Sequence, residues 1–312
     1  MIASYILAVL VVYPDGSGKF PHVQAAVDAA LPGDMIAMAP GVFTGQGNQN
    51  ISVTKPLHFL PLDSHWGASF EPLFSGEPQS IFILAQGSDD CYFEGLGFWN
   101  ARGPLGAIYI PAGANPTIKS CYFVANSESA IHIDGGSPII DSCAFEENSA
   151  KYGAGIYVES GDARILNCHF VWNSASEEGG AVYLNSGYMR DCQVSLCYAP
   201  KGGGLVAGPH AIVEKCSIEG TASVYGGSTV AFGGALLRRC AFYGEALIGP
   251  ALAIREGEGC VTLEGCYLSN EIPKGSIDTS PIYVETGCVN QGGTAPLALD
   301  RKSWGQIKEM YR

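Results

Sequence analysis

The sequence has 312 residues with a formal net charge of −13, and only 15% of its residues are charged. A chain this acidic is unsuited to nucleic acid, because phosphate binding requires a basic face. The charge also disfavours an acidic polymer unless a cation bridges it, and it is compatible with neutral sugars or cations. With 47% apolar residues and 41 glycines, the chain is long enough for one large, dry core with tight turns.

The first twelve residues, Met1–Val12, are apolar and contain no Lys or Arg. They fit two interpretations, the remnant of a secretory signal peptide or a first strand. The signal interpretation lacks a basic first region and a small-x-small cleavage site. No apolar run reaches the roughly 18 residues of a membrane-spanning helix, so we expect no transmembrane segment.

A short helix is predicted over residues 21–31, where Pro32-Gly33 ends the pattern. Its apolar side chains share one helical face: Val23, Ala26, Val27, Ala30 and Leu31. A second helix is predicted over residues 303–311, which begin with a capping-box spacing. Between them, residues 35–290 are expected to form stacked coils whose two ends the helices cover, since an open coil exposes unpaired backbone groups. The whole chain, 1–312, would then be one domain.

One phrase recurs through the middle of the chain at intervals of 22 to 26 residues. It reads Cys-x-Phe-x-x-Asn in Cys121–Asn126, Cys143–Asn148 and Cys168–Asn173. Weaker copies begin at Leu96, Cys192, Cys216, Cys240 and Cys266. A period of this length indicates one supersecondary unit per repeat, stacked on its neighbours.

Each repeat also has a second half, a short strand with period 2. Clear copies are Ala107–Ile110, Ala130–Ile133, Gly155–Val158 and Ala181–Leu184. Few repeats have room for a helix, and Gly, Asn and Ser turns interrupt them frequently. A leucine-rich repeat would need a leucine framework and a helical segment, which are absent. The predicted fold is therefore all-β, a single-stranded parallel β-helix.

The segment of residues 15–43 resembles the entry segment of the pectin-lyase-like superfamily. It reads DGSGKFPHVQAAVDAALPGDMIAMAPGVF, and pectin methylesterases have a similar entry. The resemblance implies a right-handed β-helix whose short helix caps the N-terminal end. The phrases Phe145–Asn148, Phe170–Asn173 and Gly179–Ala181 also resemble repeats of the polymorphic outer-membrane adhesins. Both resemblances imply an extracellular or cell-surface bacterial protein, but one fold hosts many functions.

The resemblance does not extend to catalytic motifs. Asp89-Asp90 is similar to the paired aspartates of polygalacturonases, yet the His-Gly and Arg-x-Lys motifs of that family are missing. The catalytic Asp, Asp and Arg of pectin methylesterases also have no match in their local contexts. These absences disfavour an enzyme.

The alternation of inward and outward side chains predicts two vertical ladders inside the coils, one of cysteines and one of asparagines. The first consists of Cys121, Cys143, Cys168, Cys192, Cys216, Cys240 and Cys266. Adjacent rungs of a β-stack lie about 4.8 Å apart, but ladder side chains point the same way, which disfavours disulfides. We therefore expect buried, reduced thiols and no metal site. Asn126, Asn148 and Asn173 predict a second ladder that satisfies backbone groups at a turn.

The same alternation predicts an outward column on one face. Its members are Tyr109, His132, Tyr157 and Tyr183, followed by Val206, Ala231, Ala253 and Tyr283. Two residues further along each strand lie Asp134, Glu159 and Asn185. Asp134 and Glu159 are predicted to lie one rung apart, and Glu177-Glu178 is predicted to be a solvated loop.

Two carboxylates about 5 Å apart are able to share a proton, bind Ca²⁺ or act as a retaining glycosidase pair. Aromatic rings bordered by carboxylates also suit sugars, which have apolar C–H faces and hydroxyl donors. The structural alternative is a solvated aromatic ladder that only stabilises the sheet.

The sequence thus nominates Asp134 and Glu159 as candidate catalytic residues. The candidate binding residues are Tyr109, His132, Tyr157, Tyr183 and Asn185. Because enzyme motifs are missing, the favoured function is a monomeric, non-catalytic secreted or cell-surface module that binds a glycan or a protein partner through one sheet face. The alternative is a polysaccharide hydrolase or lyase that uses the carboxylate pair. No cofactor is expected, with Ca²⁺ as the one candidate ion.

Overall fold

The computed structural model describes residues 7–63, 67–72, 77–223, 227–244, 251–255, 260–270, 282–284 and 289–292. These residues wind as a right-handed parallel β-helix of about 10 turns, with coils about 24 residues apart, which confirms the predicted fold class. The helix predicted over residues 303–311 lies outside the described residues.

Three stacks of short parallel strands form the walls, named here face 1, face 2 and face 3. Face 1 contains Ile51–Val53, Phe82–Leu84, Ile108–Pro111, Ile131–Asp134, Ile156–Ser160, Thr229–Phe232, Leu252–Arg255 and Ile282–Val284. Face 2 contains Val9–Val12, Met35–Met38, His58–Pro61, Tyr92–Glu94, Thr117–Lys119, Ile139–Asp141, Ala163–Leu166, Leu236–Arg238, Val261–Glu264 and Val289–Gly292. The long strands Val182–Arg190 and Leu205–Glu214 turn the corner between the two faces and belong to both.

Face 3 closes each coil. It contains Gly41–Phe43, Ala68–Phe70, Gly97–Trp99, Tyr122–Val124, Ala144–Glu146, His169–Val171, Gln193–Ser195, Ser217–Glu219, Ala241–Gly244 and Tyr267–Asn270. A separate two-stranded sheet, named here the arm, consists of Ser149–Tyr152 and Ser174–Glu178.

Phenylalanines fill the interior behind face 3, as period-2 alternation requires. Six of them stack on successive coils with ring centroids 4.7 to 5.8 Å apart: Phe43, Phe70, Phe98, Phe123, Phe145 and Phe170. Each stacked pair contributes about 0.5–1.5 kcal/mol beyond the area that it buries. This column fixes the register of neighbouring coils and makes the wall a rigid platform.

The predicted cysteine ladder is present. Cys121, Cys143, Cys168, Cys192, Cys216 and Cys240 are buried free thiols, and Cys266 is a partly buried one. Burial raises the pKa of Cys143 and Cys168 well above the usual thiol value. These two thiols are therefore protonated and unreactive in the folded protein. Cys260, which is not in the ladder, is disulfide-bonded.

The asparagine ladder is also present and holds one turn of each coil. Asn126 Nδ2 donates to the Phe98 carbonyl and to Asn148 Oδ1, both at 2.9 Å. Asn148 repeats the pattern toward the Phe123 carbonyl and Asn173 Oδ1. The residue before each asparagine has a φ of 54–56°, a left-handed conformation that L residues adopt at a cost of about 1–2 kcal/mol. The ladder stabilises this strained turn.

One helix, Val23–Ala29, is found in the described residues, within the range predicted for a cap. His22 begins it, because its Nδ1 accepts a hydrogen bond from the Ala25 amide at 3.1 Å. The helix packs against the first strands of faces 1 and 2. The strand Val9–Val12 lies in the segment for which the sequence left a strand and a signal remnant open. No helix of the described residues is long and apolar enough to span a membrane.

Candidate functional site

Face 1 carries the outward column that the sequence predicted, in register on consecutive coils. Its first members are Tyr109, His132, Tyr157 and Tyr183. It continues as Val206, Val230 and Ala253, and the backbone of Tyr283 takes the next register position. The prediction of Ala231 in this column was wrong. Thr229, not Val230, aligns with Leu205, and a shift of one residue turns a side chain to the opposite side of the sheet.

The four rings form a continuous series of contacts, named here the ring column. Tyr109 meets His132 edge to face with centroids 5.4 Å apart, and His132 stacks on Tyr157 at 5.0 Å. Tyr183 meets Tyr157 edge to face at 5.5 Å. Tyr152, which the sequence did not nominate, lies 5.7 Å from both Tyr157 and Tyr183. The column is half-buried and held in place from two sides.

The carboxylates are not placed as predicted. Asp134 aligns with Ser160 rather than with Glu159, because the register shifts by one residue after Ile133. A β-bulge leaves the extra residue of one strand unpaired and redirects its side chain, and here that residue is Glu159. The period of the repeat does not reveal such an insertion.

Each carboxylate is consequently held by its own partners. Asp134 Oδ2 accepts from the Tyr109 hydroxyl at 3.3 Å, and Oδ1 accepts from Ser160 Oγ at 3.1 Å. Glu159 Oε2 lies 3.0 Å from His132 Nε2. No hydrogen bond joins Asp134 to Glu159. The described residues also contain no group of three or more His, Cys, Asp or Glu arranged to hold a metal ion.

Glu159 retains capacity for a ligand. Its side chain is 50% exposed, and Oε1 has no hydrogen bond to the described residues. Asn185 Nδ2 donates to the Glu159 backbone carbonyl at 3.0 Å, so the third predicted edge residue supports the bulge. The edge of the ring column therefore offers an oriented acceptor to hydroxyl or amine donors.

The phenols of the ring column stay protonated over a wide pH range. Burial raises the pKa of Tyr157 to about 12, and the negative charge of Glu159 adds to the effect. Burial also raises the pKa of Tyr109, with a smaller contribution from Asp134. Near neutral pH both rings are therefore neutral; the Tyr109 hydroxyl donates to Asp134, and the Tyr157 hydroxyl remains a donor for a ligand.

The arm borders the ring column and ends in a compact ion cluster. Glu178 Oε1 accepts from Lys201 Nζ at 3.0 Å and from Arg255 Nη1 at 3.1 Å, and the Glu178 side chain is only 14% exposed. The prediction of a solvated loop at Glu178 was therefore wrong. Its partner Arg255 is 77 residues away in sequence, so no local pattern indicated the contact.

Face 2 differs, because its charges are arranged to neutralise one another. Its outward edge column reads Glu94, Lys119, Asp141, Leu166, Arg190, Glu214, Arg238 and Glu264. Signs alternate apart from Leu166, with Arg238 Nε 2.6 Å from Glu264 Oε2. Tyr188 donates its hydroxyl to Glu214 at 2.6 Å. Face 2 is thus a self-paired ladder, and face 1 is the better candidate for a ligand.

A comparison with known protein families agrees with this fold. Residues 75–217 match the family model of the right-handed beta helix region. No curated protein sequence matches the chain. Among solved structures, the chain is similar to pectate lyase Pel9A at 16% identity, covering 96% of this chain and 80% of that one, with a TM-score of 0.47.

Two further solved structures are similar at lower identity. The catalytic domain of a GH87 alpha-1,3-glucanase shares 10% identity over 93% of this chain and 56% of its own, with a TM-score of 0.43. ORF18 of Geobacillus virus E2 shares 13% identity over 91% of this chain and 62% of its own, with a TM-score of 0.38. The chain thus spans less than two thirds of both.

Proposed function

We propose that face 1 binds a glycan through the ring column, with Asp134, Glu159 and Asn185 at its polar edge, and that it does so without cleaving the glycan. The observation that carries the proposal is a run of four contacting rings beside Glu159 Oε1, which has no hydrogen bond to the described residues. Rings supply flat apolar surface for sugar C–H groups, and carboxylates accept hydrogen bonds from hydroxyls.

The dimensions and charge of the face suit a neutral glycan. Coils rise by about 4.8 Å, so four rings extend over about 15 Å, the length of a few sugar units. The net charge of −13 disfavours an acidic polymer without a bridging cation such as Ca²⁺. An extracellular or bacterial cell-surface location and a monomeric state belong to the same proposal. The disulfide at Cys260 supports an oxidising compartment.

The separate engagement of the two carboxylates supports binding over cleavage. A retaining pair needs two carboxyl groups that face one bond from about 5 Å apart. Here Asp134 is occupied by Tyr109 and Ser160, and Glu159 faces His132.

A polysaccharide hydrolase or lyase is the second candidate function. The observation in its favour is the His132–Glu159 contact at 3.0 Å, since an oriented imidazole and carboxylate are able to exchange protons with a substrate. In that case product formation should be lost in both Asp134→Asn and Glu159→Gln while the variants still bind the glycan. Retention of a glycan by wild type with no product formed contradicts this second function.

A glycan array with matched variants tests the binding proposal. Tyr157→Ala removes the central ring and should weaken retention about tenfold or more, since lost stacking and burial amount to about 1.5–3 kcal/mol. Tyr188→Ala makes the same change on face 2 and should retain the glycan as wild type does. The proposal fails if no glycan is retained or if Tyr157→Ala behaves like wild type.

A further inference from the structure

The outward column of face 1 is accessible at one end and covered at the other. Val206 and Val230 follow Tyr183 in the column and also point outward, yet both are 0% exposed, and Ala253 is 2% exposed. These three side chains form a small apolar cluster outside the β-helix, against which Tyr183 and Phe232 pack. The outward positions of face 1 are therefore no longer accessible to solvent from the coil after Tyr183 onward.

Beside the two rings that pack on this cluster lies an ion cluster contributed by the arm and the later coils. Glu178 at the end of the arm pairs with Lys201 and with Arg255, and the Arg255 side chain is 15% exposed. The Arg255 guanidinium also lies 5.9 Å from the Phe232 ring centroid. Glu178 and Arg255 both influence the pKa of Tyr183, which burial raises, so the ion cluster is close to the last ring. Together with Tyr152, these groups form a wall across the column.

The opposite end has no such wall in the described residues. The positions that precede Tyr109 in the column are Ile83 and Ser52. Ile83 is half-exposed and Ser52 is exposed. Among the described residues, a chain lying along the ring column thus meets no obstacle at Ile83 or Ser52, but it meets Tyr183, Tyr152 and the Glu178 cluster in the other direction.

We infer that face 1 receives the end of a glycan chain rather than an internal stretch, with the terminal sugar against the wall at Tyr183 and the rest of the chain leaving past Tyr109. This inference rests on the proposed glycan binding. An internal stretch would need open surface on both sides of the rings. The distance of about 15 Å from Tyr109 to Tyr183 further limits the specific contacts to about three sugar units.

The test uses the wild-type chain with probes that differ in their number of ends. Linear neutral glucans and mannans are fractionated by length, and saturation binding is measured per gram of polymer by sedimentation. If only ends bind, the number of protein molecules bound per gram falls in inverse proportion to chain length. Affinity for short linear oligosaccharides should rise up to about three units and then level off. Cyclic glucans, which have no ends, should not compete with linear glucans of equal size.

Two results overturn the inference, and they are distinguishable. If capacity per gram is independent of chain length, or cyclic glucans compete equally, while Tyr157→Ala abolishes binding, then face 1 binds internal stretches and only the chain-end inference fails. If none of the polymers binds, or if Tyr157→Ala binds them as wild type does, the proposed glycan binding fails and the chain-end inference fails with it.

Discussion

The asparagine ladder inside the β-helix and the ring column outside it share one sequence period but differ in what their polar atoms contact. Inside, Asn148 Oδ1 accepts from both the backbone and the side chain of Asn126, and its Nδ2 donates twice. Outside, Glu159 Oε1 and the Tyr157 hydroxyl have no hydrogen bond to the described residues. A ladder whose polar atoms all bond to each other or to the backbone holds the fold, whereas a column that keeps some polar atoms without partners in the described residues is available to a ligand.

The largest effect should come from breaking the inner ladder. Asn148→Ala takes the side-chain acceptor from the Asn126 backbone amide and the side-chain donor from the Phe123 carbonyl in a dry interior. Asn173 Oδ1 loses one of two donors and keeps the backbone amide of residue 148. We expect the free energy of unfolding to fall by about 3–5 kcal/mol, measured by urea denaturation. Asn185→Ala is the matched outer control. It removes one exposed hydrogen bond and should cost about 0.5–1 kcal/mol.

Equal losses in the two asparagine variants would contradict the distinction between the ladders. A large loss in Asn185→Ala alone would assign the structural role to the outer edge instead.

A smaller effect is expected at the cysteine ladder. Cys168 is buried, with its Sγ 3.1 Å from the Leu166 carbonyl. Cys168→Ser places a hydroxyl in that interior and should lower the free energy of unfolding by about 1–3 kcal/mol. Thiol labelling supplies the check on the wild-type protein. The six fully buried ladder thiols should not react with the label in the folded protein and should react in denaturant. Ladder cysteines that stay unreactive in denaturant would be disulfide-bonded instead.

Most of the fold could be predicted from the sequence, because ladders repeat their residues at one spacing. In the three clearest repeats, the Phe two residues after the cysteine predicted the stack of Phe123 and Phe145, and the Asn five residues after it predicted the inner ladder. Cys197 and Thr221 were missed although they occupy the same slot, five residues after Cys192 and Cys216. Both are buried, and Asn173 Nδ2 points toward Cys197 Sγ at 3.9 Å. Counting from the cysteine, rather than matching the residue type, would have found them.

The candidate site could be predicted only in part. The alternation of inward and outward side chains along each strand placed the four rings of the column correctly, because their alignment depends only on the register between neighbouring strands. The bulge at Glu159 and the slip at Val230 were missed, because one inserted or shifted residue leaves the period almost unchanged. The arm and its Glu178–Arg255 pair depend on contacts between distant coils, which no local pattern encodes.

The smallest effect concerns the hydroxyl of the central ring. Tyr157 has no hydrogen bond through its hydroxyl to the described residues, so Tyr157→Phe should leave the free energy of unfolding near neutral pH within about 0.5 kcal/mol of wild type. Its pKa, raised to about 12 by burial and by Glu159, makes the difference visible in alkali. The unfolded chain ionises this phenol near pH 10. The folded chain holds the proton to about pH 12, so stability present below pH 10 is lost as pH rises between these values.

Tyr157→Phe removes that contribution, and the fall in stability above pH 10 should be shallower than in wild type. Ultraviolet difference titration should show one fewer phenol ionising near pH 12, with the phenols that ionise near pH 10 unchanged. Loss of a phenol near pH 10 instead would mean that the ring column is as wet as ordinary surface. The ring column would then lack the desolvated apolar surface on which a sugar ring is expected to stack. Without that surface, face 1 would be no better a candidate for glycan binding than face 2, whose charges pair with one another.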